Sequence, residues 1–72
     1  MGTFSTTSGK FEYQWASDVS FDGVRLEVLT GDGDVLFDVS VPEHGNLTIN
    51  TFSNEIGIEI VEAAIDVARE RQ

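Results

Sequence analysis

Between residues 11 and 41 apolar and polar side chains alternate, and between residues 55 and 70 they sort onto two sides of a helix. Phe11, Tyr13 and Trp15 share one phase against Glu12, Gln14 and Ala16. Val24, Leu26 and Val28 alternate with Arg25 and Glu27, and Val35, Phe37, Val39 and Val41 with Leu36, Asp38 and Ser40. A period of two puts each apolar set on one face of a half-buried strand. Leu47 to Phe52 alternate once more, predicting a short fourth strand with Leu47 and Ile49 inward. Pro42 ends the third strand, because it has no N–H to give to a ladder.

Turn residues sit where the strands require them. Asp32-Gly33 is a two-residue hairpin signal, since a type I′ turn needs positive φ at both positions. Folding about it sets Thr30 opposite Val35, Val28 opposite Phe37, Leu26 opposite Val39 and Val24 opposite Val41, all on one face. A slip of one residue would send half of them to the other side. Asp22-Gly23 predicts an earlier hairpin, pairing Phe21 with Val24, Val19 with Leu26, Ser17 with Val28 and Trp15 with Thr30. Residues 17–21 read either as strand or as loop, because a twelve-residue first strand is long for a small domain. Residues 1–9 are small, polar and without period, which predicts a flexible tail with Phe4 docked.

In the last third, Ile56, Ile60, Val61, Ala64, Ile65, Val67 and Ala68 fill one side at about 100° per residue. Glu55, Glu59, Glu62, Asp66, Arg69 and Glu70 fill the other. Ile56 to Ile60 also alternate, so the helix starts either at Asn54, capped by Ser53 or Asn54, or nearer Ile58. A start at Asn54 leaves Gly57 inside the helix at a cost of about 1 kcal/mol. The fold class expected is α+β. An antiparallel meander of three or four strands is followed by one C-terminal amphipathic helix on one sheet face, with residues 10–72 forming a single domain.

Composition narrows the function. The chain has 72 residues and no cysteine, so neither disulfides nor a thiolate zinc site can staple it. Its formal charge is −9, from thirteen acids and four bases. That field opposes direct nucleic-acid binding and anionic membranes and favours basic partners. No run approaches the about 20 apolar residues of a membrane helix, and no export signal opens the chain, so the expected location is cytoplasmic.

Candidate chemistry is thin. His44 is the single histidine, and Glu43 beside it could orient it, but no nucleophile is placed with either. Gly31-Asp32-Gly33-Asp34 lacks the series of an EF-hand and is what a turn requires. No cofactor or metal is implied. The expectation is a noncatalytic protein-interaction domain, with Glu55, Glu59, Glu62 and Asp66 on the acidic helix face and Leu29 and Leu36 on the outer sheet face as partner-binding residues. Two alternatives remain: an acidic nucleic-acid mimic that inhibits a basic DNA-binding protein, and an enzyme subunit using Glu43 and His44. The apolar arc spans about 200° against the ≳100° stripe of a surface helix. That excess predicts a homodimer through Ile58, Ile65 or the Leu29–Leu36 island, with Ala16 beside Leu29.

Overall fold

The computed structural model describes residues 1–17 and 22–71. Five strands follow in order: β1 (Gly2–Thr6), β2 (Gly9–Ser17), β3 (Gly23–Leu29), β4 (Val35–Pro42) and β5 (Thr48–Asn50). They form one antiparallel meander in the order β1-β2-β3-β4-β5, and helix α1 (Ile58–Arg69) packs back on it against β1, β3 and β4. Leu26, Val28, Phe37, Val39 and Val41 from the central strands bury against Ala64 and Ala68 of the helix. The small helical residues allow close approach, and Phe4, Phe11, Tyr13 and Trp15 close the core from the β1–β2 side.

The first correction concerns residues 1–9. Gly2–Thr6 is not a tail but an edge strand, paired in continuous register from Gly2 opposite Tyr13 to Thr6 opposite Gly9. An edge strand needs only one row of side chains against the core, and Phe4 supplies it. Its ring stacks on Phe11 at 5.7 Å and on Tyr13 at 6.2 Å. One apolar residue among threonines and serines leaves no period to read.

The second correction concerns the first hairpin. Trp15 lies opposite Leu26, Tyr13 opposite Val28 and Ser17 opposite Val24. The Asp22-Gly23 turn, which pairs Trp15 with Thr30 and Ser17 with Val28, is therefore not formed. The expected pairs of Val19 with Leu26 and of Phe21 with Val24 involve residues that lie outside the described ones. The offset is four residues, an even number, so every side chain keeps its expected face.

The second hairpin keeps its register, with Val28 opposite Phe37, Leu26 opposite Val39 and Val24 opposite Val41. Its turn is longer than two residues. Thr30 N–H donates to Asp34 O, Gly33 N–H donates to Thr30 O, and Gly33 has φ +88°. This is a three-residue loop with glycine in the left-handed position. A bulge at Val28/Leu29 absorbs the extra residue and sets Leu29 opposite Val35 rather than Leu36. Ala16 faces Arg25. The expected Leu29–Leu36 island with Ala16 is thus dispersed: Leu29 is buried, and Leu36 packs half-buried against the core.

β5 is shorter than expected and wholly exposed. Ile49 lies opposite Val39 on the helix-facing side but remains 44% exposed, because α1 makes no approach to β5. The helix begins at Ile58, with Gly57 as its N-cap and no capping side chain. Gly57 is therefore outside the helix, and Asn54 serves another purpose, donating from Nδ2 to the Leu36 carbonyl at 3.0 Å. Phe52 and Ser53 adopt positive φ of 54° and 66° in the turn after β5. That turn precludes a helix start at Ser53 or Asn54.

Candidate interaction surface

Helix α1 divides as its sequence predicts. Ala64 and Ala68 are fully buried, while Glu59, Glu62, Asp66 and Glu70 are all exposed. Glu55 is exposed too, but it precedes the helix, so it makes no i,i+4 pair with Glu59. Glu59 stands in the first turn and Arg69 in the last, each favourably placed in the helix dipole. Ser8 Oγ in the β1–β2 turn donates to Glu59 Oε1 at 3.2 Å, tying the start of the helix to that turn. Asp66 and Glu70, at i+7 and i+11 from Glu59, fall on the Glu59 side of the helix, opposite the buried Ala64 and Ala68. At the other end, the Arg71 guanidinium lies 4.5 Å from the Trp15 ring centroid.

Of the expected dimer residues, Ile58 is 69% exposed and Ile65 half-buried. Among the described residues Met1, Ile49 and Phe52 are the other exposed large apolar side chains.

A polar group on the outer sheet face was not singled out from the sequence. Asp38 is only 2% exposed, and its Oδ2 lies 3.5 Å from Arg25 Nη1. Glu27 faces Asp38 directly across β3 and β4, and Gln14 Nε2 donates to Glu27 Oε1 at 2.7 Å. Two facing carboxylates repel, and the flanking guanidinium and amide offset that repulsion. The signal was available: Arg25, Glu27 and Asp38 share the outward phase, and the second hairpin's register sets Glu27 opposite Asp38. Ser40 lies opposite Arg25 in the same pair of strands.

Glu43 and His44 are exposed in the segment after β4, where Glu43 N–H donates to Asp22 O at 2.9 Å. A hollow of about 230 Å³ is lined by Glu43 and Arg71 with Val24 and Val41. A second, of about 290 Å³, is lined by Ser40, Pro42, Asn46 and Thr48. Small-molecule sites usually span about 300–1,000 Å³. Glu43 lines the first hollow, and His44 lines neither of the two. Among the described residues no three His, Asp or Glu side chains are grouped to hold a metal ion, and no helix is long and apolar enough to cross a membrane.

Comparison with family models, curated proteins and solved structures found no match to this chain.

Proposed function

We propose that this chain is a noncatalytic interaction domain whose acidic helix face engages a basic protein surface. One observation carries the reading: Glu59, Glu62, Asp66 and Glu70 stand exposed on a helix whose opposite side is buried on the sheet. Fixed carboxylates on a rigid element attract a cationic partner and raise its rate of encounter. The like-charge spacings Glu62–Asp66 and Asp66–Glu70 each cost a few tenths of a kcal/mol, which favours a use for the acids beyond stability.

Affinity capture from native lysate tests this with two charge-matched variants. One carries Glu59→Gln, Glu62→Gln, Asp66→Asn and Glu70→Gln. The other carries Glu12→Gln, Asp32→Asn, Asp34→Asn and Glu43→Gln, all at exposed positions. A partner retained by the second and lost by the first supports the reading, and equal loss from both overturns it. DNA competing for the captured partner identifies the acids as a nucleic-acid mimic.

Association of two copies is a second reading, favoured by the exposure of Ile58. Sedimentation equilibrium of wild type and Ile58→Lys tests it. Monomer alone at high micromolar concentration excludes it.

A further inference from the structure

We infer that two copies of this chain join edge to edge through β5, with Ile49 at the two-fold axis and the two sheets continuing as one. The inference rests on the second reading above, that two copies associate, and gives that association a surface and a register.

Backbone geometry says which groups of β5 are free. Glu43 N–H donates to Asp22 O at 2.9 Å, one step beyond the Gly23–Pro42 pair of the β3–β4 register. Hydrogen-bonded pairs alternate with open ones along an antiparallel ladder. Val41, Val39 and Phe37 accordingly turn their N–H and C=O groups to β3, while Asp38 and Ser40 turn theirs to β5. The Leu36 carbonyl shares the phase of Asp38 and Ser40, and Asn54 from the turn after β5 donates to it. Thr48 lies opposite Ser40 and Asn50 opposite Asp38, so these two residues bond β5 to β4. Ile49, between them, turns its N–H and C=O groups to the other edge.

That edge is uncovered. Thr48, Ile49 and Asn50 are all exposed, and β5 contacts no strand or helix besides β4. Natural sheets guard an edge with charge, proline, a bulge or shortness. β5 is short, at three residues, and has none of the others. Residues 45–54 contain neither proline nor an ionisable side chain.

Charge and symmetry select the occupant. In a chain of net charge −9, residues 45–54 are the longest run without an ionisable side chain. Two copies repel each other through their acids, and this run adds nothing to that repulsion. A basic segment would find no carboxylate in it to pair with. Ile49 offers one donor and one acceptor, so an antiparallel copy of itself completes both bonds, which is the self-complementarity of a two-fold interface. The two Ile49 side chains, each 44% exposed in the single chain, then lie side by side on the helix-facing surface. Leu47 comes opposite the copy's Thr51. Both helices project from that surface, and each contacts β1, β3 and β4 but not β5. The two β4 strands stand about 14 Å apart across the β5 pair, wider than the about 8–10 Å between packed helices. The pairing therefore leaves room for both helices, and their acidic sides stay exposed.

Sedimentation equilibrium of the full chain across the micromolar range tests this, together with amide hydrogen exchange of the wild type at low and high concentration. The wild type is expected to form dimers and no larger species. Protection of the Ile49 amide is expected to rise with concentration, and that of Thr48 and Asn50, already bonded to β4, to stay as it is. Ile49→Pro removes an outward N–H and spares the bonds to β4. It is expected to weaken the dimer about tenfold or more, from two lost hydrogen bonds. Should that variant fold poorly, exchange at Ile49 in the wild type decides alone. Dimers in which the Ile49 amide exchanges as freely as in the monomer, or which Ile49→Pro leaves intact, overturn the β5 pairing while leaving association through Ile58 standing. Monomer alone at high micromolar concentration overturns both.

Discussion

The Tyr13 ring occupies the space over Gly2 on the neighbouring strand: a Cβ added at Gly2 would collide with the phenol ring. The two residues face each other across β1 and β2. An aromatic ring covering a cross-strand glycine at a sheet edge shields its backbone and pins register. Tyr13 also stacks on Phe4 and meets Trp15 edge-on at 6.4 Å, so one side chain ties the edge strand to the core.

Gly2→Val is therefore expected to push the Tyr13 ring aside and fray β1. The loss expected is about 1 kcal/mol, the worth of an aromatic pair. Near-UV circular dichroism and thermal unfolding check it. An unchanged aromatic signal with an unchanged Tm would show that the ring does not depend on the glycine.

The N-cap offers a gain. Gly57 has φ −57° and ψ 137°, a conformation open to any residue, and its nearest obstruction is the flexible end of Glu59 at 3.3 Å. Gly57→Ser supplies a capping oxygen and restricts the unfolded chain, together worth about 1 kcal/mol. Denaturant midpoints at constant m-value measure it. A lower midpoint would mean that contact with Glu59 outweighs the cap.

Arg25 and Asp38 are expected to couple. Removing the cation leaves Asp38, at 2% exposure, with less compensation for its burial. With Arg25 itself one-third exposed at 33%, Arg25→Met is expected to cost about 2 kcal/mol rather than the 3–5 of a fully buried pair. Asp38→Leu in the same chain should recover part of that loss. A double-mutant cycle reads the coupling, and strictly additive effects would show the pair to be energetically idle.

The end of the helix gives an optical test. With its guanidinium 4.5 Å from the Trp15 centroid, Arg71 holds the last turn against β2. Arg71→Ala is expected to cost about 0.5–1 kcal/mol and to change the emission of the single tryptophan. An emission spectrum that does not move would place the guanidinium away from the ring in solution.

The sequence by itself determined the α+β class, the apolar face of each central strand, the two sides of the helix and the pairing of β3 with β4. These follow from periodicity, and a slip that exposes Val28, Phe37, Leu26 and Val39 is too costly to compete. Tertiary structure decided what periodicity does not encode. β1 forms because the backbone of β2 and the rings of Phe11 and Tyr13 are there to receive it. The first hairpin could shift by four residues because an even shift preserves every face, so periodicity does not choose between the two registers. The Gly31-Asp32-Gly33 loop took a third residue because the Val28/Leu29 bulge could absorb it. The burial of Asp38, the exposure of Ile49 and the hydrogen bond between Ser8 and Glu59 likewise depend on how the helix lies on the sheet. That is a relation between distant segments, and no local spacing carries it.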